Sequence, residues 1–148
     1  MSLRIQKHPK HSTKDRKGKP NGSLIPIYNM HDGFVAPENY PKQVYLTICD
    51  VGAVKGPHLH KKRWGLFTCI RGNVRIVART DHGYEEYFSG EDYGFATIEV
   101  PAGVPSAIHN IGDEPAYVLN MPSPAWRMDD QDDHDVTFDE TVLGSKSK

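Results

Sequence analysis

The chain has 148 residues and a mass of 16.6 kDa, which is the size of one compact domain. Its net charge is -1 at pH 7 and its pI is about 6.7, so general nucleic-acid binding is not expected. Apolar residues make up 37% of the chain, the mean hydropathy is -0.60, and no apolar run approaches the ~18 residues of a membrane helix. Because no apolar stretch follows the basic N-terminus, we expect no secretory signal and a cytoplasmic protein.

Charge is concentrated at the two ends of the chain. Residues 1–22 contain seven lysines and arginines against one acidic residue, Asp15, and few residues that suit a core. We therefore predict a flexible basic arm over 1–22; a solvated tail is the commoner role of such a stretch, and a site for a phosphate-rich partner is the alternative. Residues 129–140 contain seven acidic residues, but Val136 and Phe138 among them, and Trp126 just before them, indicate some packing there. We predict one domain over 23–140 and a flexible tail over 141–148.

Short apolar runs alternate with turn residues through the middle of the chain. The stretch 44–49 places Val44, Leu46 and Ile48 on one face of a strand, because side chains alternate with a period of two. Glycine, proline and asparagine turns separate the later runs, and no window shows a sustained helical pattern. The sequence therefore predicts an all-β sandwich or small barrel of the jelly-roll type. The further predicted strands lie at 66–70, 74–78, 84–88, 95–100, 107–110 and 116–121.

Both cysteines, Cys49 and Cys69, lie inside apolar runs. Buried free thiols are the common state of such residues in a cytosolic protein, whereas a disulfide needs an oxidising compartment. We therefore predict two buried free thiols.

The most informative pattern in the chain is His58-Leu59-His60. Residues i and i+2 of a strand point to the same face, so the two imidazoles would project together. Two adjacent imidazoles in the mouth of a barrel can bind a metal ion, or one can act as a base while the other orients a substrate. Exposed histidines on a surface strand would have the same spacing. The spacing alone leaves all three possibilities open.

The surroundings of this pair resemble the two sequence motifs of the cupins. The first, G(X)5HXH(X)3,4E(X)6G, matches at Gly52, His58, His60 and Gly72. The second, PxGxxH(X)3N, matches at Pro101, Gly103 and Asn110. Metal cupins use both histidines of the first motif, its glutamate and the histidine of the second, but Gly65 and Ser106 occupy the last two positions here. The resemblance implies a cupin jelly roll, a double-stranded β-helix, in which a metal would have only His58 and His60 as ligands.

A narrower resemblance connects the chain with the dTDP-4-dehydrorhamnose 3,5-epimerase family, metal-independent cupins that act on nucleotide-linked 4-keto sugars. The HLHKK stretch is also similar to the HAHKK of the related sugar-nucleotide 3,4-ketoisomerases. The resemblance implies an isomerase without a cofactor, in cell-surface polysaccharide or deoxysugar biosynthesis. The segments that carry it span roughly residues 44–135 and are 54–62, 70–74, 89–91, 100–104, 119–122 and 129–130.

Position by position, the resemblance assigns the general base to His58 and leaves His60 to orient the substrate. Lys55 stands where the family has an arginine that contacts phosphate or sugar. Ser106 stands where the family has a second histidine. These four residues are the first candidates for the site.

Two roles of the family have no residue at the matching position. The family's acid tyrosine falls near Leu119, so Tyr117, two residues earlier on the same strand face, is the candidate proton donor. A carboxylate partner for His58 would come from the acidic segment, where Asp129 and Asp130 are the candidates. Without the tyrosine, full epimerisation at two carbons lacks its second proton donor.

The chemistry next to a sugar ketone sets what else the site needs. A ketone acidifies the neighbouring C–H bonds because the carbanion delocalises into an enolate. An unperturbed imidazole, with a pKa of about 6.5, suits the base, and a cation must face the developing oxyanion. The candidates for that cation, or for contacts with the diphosphate, are Lys62, Arg63 and Arg75. His109 is a further candidate contact, although it lies three residues from Ser106 and would face the other side of a strand.

Three function classes remain open on the sequence. The long resemblance favours an epimerase or ketoisomerase, the HxH pair alone favours a metal-dependent cupin, and the missing tyrosine with Ser106 favours a non-catalytic sugar-binding cupin. The expected partners are a nucleotide sugar and a second copy of the chain. Sheet edges need covering, and the proline-punctuated stretch 24–45 is a candidate for covering the sheet of the partner in a homodimer.

Overall fold

The computed structural model describes residues 1–144 and shows an all-β chain, as predicted from the sequence. Its helical segments are single 3-10 turns at Met30–Asp32, Pro37–Asn39 and Glu91–Tyr93. Within the described part of the chain, no helix is long and apolar enough to cross a membrane. The strands are β1 (Arg4–Gln6), β2 (His11–Lys14), β3 (Pro20–Leu24), β4 (Tyr45–Cys49), β5 (Val54–Leu59), β6 (Gly65–Arg71), β7 (Asn73–Thr80), β8 (Gly83–Gly90), β9 (Thr97–Val100), β10 (Ser106–Asn110), β11 (Ala116–Asn120) and β12 (His134–Asp135).

Ten of these strands form two antiparallel sheets of five. The first, which we call the β4 sheet, has the order β1-β9-β6-β11-β4; the second, the β5 sheet, has the order β12-β5-β10-β7-β8. Strands β2 and β3 form a separate hairpin. Successive strands often lie in different sheets, which is the jelly-roll connection, so the predicted fold class is confirmed.

The core lies between the two sheets because alternate side chains of each strand point there. In β7 the fully buried Val74, Ile76 and Ala78 share the inner face, as the period of two requires. Cys49 and Cys69 lie in the same core cluster as buried free thiols. Burial disfavours the thiolate and raises the pKa of Cys69 to about 11, so this thiol stays protonated at neutral pH.

The first residues of the predicted basic arm are part of the fold. Strand β1 pairs with β9, Arg4 forms an ion pair of 2.7 Å with Glu99, and Leu3 lies in the core. Leu3 and Ile5 bury apolar surface here, and the net charge of the segment does not predict this packing. The next stretch, the β2–β3 hairpin, is exposed along nearly its whole length.

The C-terminal segment packs on the outside of the β5 sheet. Buried Phe138 contacts buried Val77, and Val142 and Leu143 pack against the same cluster. Residues 142–143 of the predicted flexible tail are therefore packed against the sheet, whereas residues 145–148 lie outside the described part of the chain. The boundaries of arm, domain and tail remain predictions.

His8 is buried where the chain leaves β1. Its Nε2 lies 2.5 Å from the Thr97 hydroxyl, which in turn lies 2.5 Å from the Thr68 hydroxyl. Burial disfavours the imidazolium and lowers the pKa of His8, while the nearby Asp32 opposes that shift more weakly. The folded protein therefore favours the neutral form of the His8 imidazole.

We expect acidification to destabilise the protein through His8. Below the ordinary histidine pKa of about 6.5 the unfolded chain binds a proton that the folded chain does not, so stability is lost as the pH falls from about 7, until the lowered folded-state pKa is reached. The slope from one histidine is at most about 1.4 kcal/mol per pH unit. Chemical denaturation of wild type and His8→Gln at pH 7.5 and 5.5 measures it. The control is His11→Gln in the exposed hairpin, which should keep the pH dependence of the wild type. If His8→Gln kept the same pH dependence, the assignment to His8 would be contradicted.

Candidate active site

A cavity of about 700 Å³ lies between the two sheets, within the range of small-molecule sites. The wall from the β4 sheet carries Tyr45, Thr47 and Phe67. The wall from the β5 sheet carries Lys55, His58, Ser106, Ala107 and Ile108. Residues outside the strands complete the lining: Gln43, His60, Arg63, Trp126 and Asp133. Five residues predicted from the sequence thus share one cavity: Lys55, His58, His60, Arg63 and Ser106.

A β-bulge in β5 brings Lys55 and His58 to the same cavity. Strand β10 pairs Ser106 with His58 and Ile108 with Lys55, so one residue of β10 lies opposite two residues of β5. Residues three apart face opposite sides of a regular strand, but the extra residue returns the second side chain to the first face. One short segment thereby supplies both a cation and an imidazole.

Gly56 allows this bulge to form. Its φ is 99°, in the region that favours glycine. A Cβ at this position would lie 2.9 Å from the carbonyl oxygen of Ser106, 3.1 Å from the nitrogen of His58 and 3.3 Å from the Cα of Ala107. Because these are backbone atoms of two paired strands, a side chain at position 56 would displace the segment that carries His58.

Gly56→Ala is expected to lower the free energy of unfolding by about 1–3 kcal/mol through backbone strain, with a further loss from the contacts to β10. The matched control is Gly52→Ala, because Gly52 also has a positive φ of 72° but has no atom within 4 Å of a Cβ. Chemical denaturation of both variants measures the difference. Equal losses would show that the close approach to Ser106 has no energetic consequence.

His58 and His60 both line the cavity, and their ring centroids lie 6.4 Å apart. The Nδ1 of His58 is buried and has no hydrogen-bond partner within residues 1–144. The predicted common face of the two imidazoles is therefore present, although β5 ends at Leu59 and His60 follows it. The described residues contain no group of three or more His, Cys, Asp or Glu side chains placed to hold a metal ion.

The carboxylate of the site pairs with His60. The Nε2 of His60 lies 2.8 Å from Oδ1 of Asp133, which also accepts a 3.1 Å bond from Nη2 of Arg63. Burial, followed by the charge of Arg63, lowers the pKa of His60, and Asp133 opposes the shift. The ring is therefore neutral at neutral pH. Because a carboxylate only accepts, Nε2 carries the hydrogen and Nδ1 keeps its lone pair.

Arg63 is the buried cation of the cavity. Its side chain is 5% exposed, and besides Asp133 it donates to the carbonyl oxygen of Gln131 at 2.7 Å. Its Nε has no partner within the described chain, so part of its donor capacity is not used by the protein. A buried guanidinium with spare capacity suits an oxyanion or phosphate.

Asp132 fixes the acidic segment that supplies Asp133. Its carboxylate accepts hydrogen bonds from the backbone nitrogens of Lys61, Lys62 and Arg63 at 3.0, 2.9 and 3.0 Å. Burial opposes ionisation of Asp132, but the three backbone donors outweigh it and lower the pKa of the carboxyl. The segment after β11 is thereby attached to the loop that follows His60.

Other predicted residues lie outside the cavity. Asp129, expected as the partner of His58, is exposed and pairs with Arg127 at 2.6 Å. Asp130 pairs with Lys62 at 2.7 Å, and both side chains are more than half exposed. Asp133 faces the cavity instead, because the backbone of residues 61–63 donates hydrogen bonds to the neighbouring Asp132 and holds this segment in place.

Arg75 and His109 also face away from the cavity. They lie opposite each other on β7 and β10. Arg75 forms an ion pair with Glu86 and donates to the carbonyl oxygen of Val142, so it holds the C-terminal segment. His109 lies three residues from Ser106 on the opposite face of β10, close to Gly144 of that segment. Neither is placed to contact a ligand of the cavity.

Tyr117 lies on the outer face of the β4 sheet. It pairs with Ile48, which is 47% exposed, and its ring lies under the guanidinium of Arg71. The inner positions of β11 are the buried Ala116, Val118 and Asn120. The tyrosine that does reach the cavity is Tyr45, opposite Asn120 on β4. The other lining residues that sequence reasoning missed are Gln43, Thr47, Phe67, Ala107, Ile108, Trp126 and Asp133.

Comparisons with known proteins agree with this architecture. A family model described as FdtA: WxcM-like, C-terminal matches residues 7–141. The dTDP sugar isomerase from Desulfovibrio desulfuricans G20 has a TM-score of 0.76 at 13% identity, covering 97% of this chain and 89% of that chain. ChmJ, a 3'-monoepimerase from Streptomyces bikiniensis solved with dTDP-quinovose, has a TM-score of 0.73 at 17% identity, covering 97% and 73%. A variant of the 3,4-ketoisomerase QdtA from Thermoanaerobacterium thermosaccharolyticum, solved with TDP-4-keto-6-deoxyglucose, has a TM-score of 0.63 at 18% identity, covering 86% and 83%.

No curated protein matches the chain in sequence. At identities of 13% to 18%, the three structures establish the shared fold, and what they bind is a property of those proteins. The family model extends over nearly the whole chain and agrees with the resemblance found in the HLHKK segment and the turns after it. The resemblance to the nucleotide-sugar epimerases and ketoisomerases is thus confirmed, and the chain belongs to the FdtA family of WxcM-like C-terminal domains, with a cupin jelly-roll fold.

Proposed function

We propose that this chain is a metal-independent epimerase of a nucleotide-linked 4-keto-6-deoxy sugar, active in deoxysugar or cell-surface polysaccharide biosynthesis in the cytoplasm. The observation that carries the proposal is the cavity between the sheets, where two imidazoles and two cations face the same space. Three similar folds belong to proteins named as a dTDP sugar isomerase, a 3'-monoepimerase and a 3,4-ketoisomerase, which supports the substrate class.

His58 is the proposed general base. It takes a proton from the carbon beside the ketone, and the electron pair of that C–H bond moves into an enolate. Arg63, with its unused Nε donor, faces the negative charge that develops in the cavity. His60 is neutral and fixed by Asp133, so it orients the substrate through the lone pair on Nδ1.

The nucleotide half of the substrate requires cations and an apolar surface. Lys55 projects from the bulge next to His58 and is the proposed contact for the diphosphate. Trp126 and Phe67 supply the apolar lining, and the backbone nitrogen of Trp126 is fixed by a 2.7 Å bond to the Gln43 side chain. Ser106 supplies a hydroxyl beside His58 in the proposed sugar site.

A panel of 4-keto nucleotide sugars, incubated with the protein in D2O and followed by NMR, tests the proposal. The expected result is deuterium incorporation at a carbon next to the ketone together with inverted product, unchanged after treatment with a chelator. Binding without exchange would favour a sugar-binding cupin. Activity lost with the chelator and restored by a stoichiometric metal would favour a metal site on His58 and His60.

The same experiment distinguishes the second candidate, a 3,4-ketoisomerase. The observations in its favour are the similarity of HLHKK to the HAHKK of those enzymes and the fold shared with QdtA. Both reactions begin with proton removal beside the ketone, but ketoisomerisation moves the carbonyl to the neighbouring carbon. A product with a displaced ketone, and no inverted 4-keto product, would replace epimerisation with this reaction.

We also propose a homodimer formed through the outer face of the β4 sheet. Leu46 and Ile48 lie there on edge strand β4, with Val44 just before it, and these residues are 46%, 47% and 60% exposed in that order. An apolar face beside an open strand edge is suited to a second copy of the same surface. In this chain Val35, within the stretch 24–45 that we predict to cover a partner, contacts Leu66 and Met121.

Light scattering at micromolar concentration is expected to give about twice the 16.6 kDa mass of the chain. Leu46→Glu should give the mass of a single chain, because a carboxylate on this face cannot be buried against a copy of itself. The control is Val51→Glu, an exposed apolar position beyond the end of β4. A wild-type monomer would exclude the dimer, and a Leu46→Glu dimer would place its interface elsewhere.

A further inference from the structure

Inversion at a carbon needs two proton-transfer groups on opposite faces of the sugar. The base removes the proton from one face, and a second group must deliver a proton to the other. Leu119 cannot do this and Tyr117 faces away from the cavity, so the second group must come from another position. The need for this second group rests on the proposed function.

Tyr45 lies on the wall of the cavity that faces His58. Tyr45 belongs to β4 in one sheet, whereas His58 belongs to β5 in the other, and both line the space between them. A sugar ring held in that space therefore has an imidazole on one side and a phenol on the other. Within residues 1–144, Tyr45 is the only tyrosine in the lining.

A buried asparagine determines where the proton of Tyr45 points. Asn120 is 1% exposed and lies directly opposite Tyr45 in the pairing of β11 with β4. Its Oδ1 accepts the backbone N–H of Leu66 at 2.9 Å, and since that N–H can only donate, the amide orientation is fixed. Its Nδ2 must then donate to the Tyr45 hydroxyl oxygen, 2.8 Å away.

The hydroxyl oxygen of Tyr45 is thus an acceptor in this bond and keeps its own proton for another partner. Asn120 supplies the single hydrogen bond to that hydroxyl within the described chain. The phenolic proton is therefore available to a ligand in the cavity. The donated amide hydrogen also stabilises the phenolate that forms when this proton leaves.

We propose that Tyr45 is the second proton donor of the reaction and that Asn120 is the residue that positions it. His58 takes the proton from the carbon, and the C–H electron pair forms the enolate. Tyr45 then gives its hydroxyl proton to the same carbon from the opposite face, and the enolate returns to the ketone. The phenolate regains a proton from solvent and the imidazolium loses one, which restores both groups.

Tyr45→Phe separates the second step from the first. We expect product formation to fall by about 10²–10⁴-fold, as for loss of a positioned acid, while deuterium exchange into unconverted substrate continues through His58. The control is Tyr93→Phe, which removes a hydroxyl from a tyrosine stacked on Phe88 away from the cavity. Wild-type product formation by Tyr45→Phe would overturn the assignment. Absence of exchange and product in the wild-type protein would instead overturn the proposed function.

Asn120→Asp tests the positioning role. The carboxylate still accepts the Leu66 N–H, but it cannot donate to Tyr45 and would accept the phenolic proton itself. We expect the pattern of Tyr45→Phe, with exchange retained and product lost. A purely structural role would lower exchange and product together along with the melting temperature, and that result would contradict the inference. If Asn120→Asp does not fold, the Tyr45→Phe comparison still decides whether Tyr45 is the donor.

Discussion

His58→Asn should reduce deuterium exchange at the sugar carbon by about 10²–10⁴-fold, the usual cost of removing a positioned general base. Asparagine keeps the polarity and approximate size of the side chain but cannot take the proton. The substitution leaves Lys55, Gly56 and Pro57 of the bulge unchanged, so nucleotide-sugar binding should remain largely intact. NMR in D2O measures the exchange, and calorimetry measures the binding.

Two further variants sharpen this expectation. His60→Asn should weaken binding more than chemistry, because His60 is held by Asp133 and is assigned to orientation. His82→Asn, in the exposed turn between β7 and β8, is the matched control and should behave like wild type. Wild-type exchange by His58→Asn on an accepted substrate would remove the main support for the catalytic assignment. If His60→Asn alone abolished exchange, the base would be His60.

Asp132→Ala should lower the free energy of unfolding by about 2–4 kcal/mol and also reduce catalysis. The buried carboxylate accepts hydrogen bonds from the backbone nitrogens of Lys61, Lys62 and Arg63, and its loss leaves these donors unsatisfied. Release of the segment would also remove Asp133 from His60. Chemical denaturation and the deuterium exchange rate measure the two effects. Asp139→Ala, which removes an exposed carboxylate downstream, is the control.

The stability difference between wild type and Asp132→Ala should depend on pH. The lowered pKa of Asp132 means that its contribution is present above the unfolded-state value of about 3.9 and is lost as the pH falls through the folded-state pKa. The two proteins should therefore have more similar stabilities in acid than at pH 7. A difference of the same size at both pH values would show that the charge of Asp132 does not contribute.

The strands and the imidazole pair could be predicted because each depends on local pattern. Alternation of apolar side chains fixes a short strand whatever surrounds it, and His58 and His60 share a face for the same reason. Lys55 and His58 share the cavity for a different reason. Their common face depends on an extra residue relative to β10, and the sequence of β5 alone does not show how the partner strand pairs.

The residues that prediction missed depend on tertiary contacts. In the stretch 44–49, Tyr45 and Leu46 lie on opposite faces of the strand. Both faces carry apolar groups, so the sequence pattern does not show which face lines the cavity. Asp133 rather than Asp129 reaches the cavity because its neighbour Asp132 is hydrogen-bonded to a loop about 70 residues away in sequence. Arg75 was a candidate for binding a diphosphate, but it donates to the carbonyl oxygen of Val142 in the C-terminal segment, a contact that the sequence does not reveal.

In the proposed reaction one proton leaves the sugar carbon toward His58 on the β5 sheet, and another reaches the same carbon from Tyr45 on the β4 sheet. The most direct measurement is the configuration of the deuterium-bearing carbon after wild-type protein has converted an accepted 4-keto nucleotide sugar in D2O, read by NMR. We expect one deuterium at the carbon beside the ketone, with inverted configuration. Product in which that carbon is inverted but still carries protium, or in which deuterium is present with the original configuration, would contradict proton transfer between His58 and Tyr45 across the cavity.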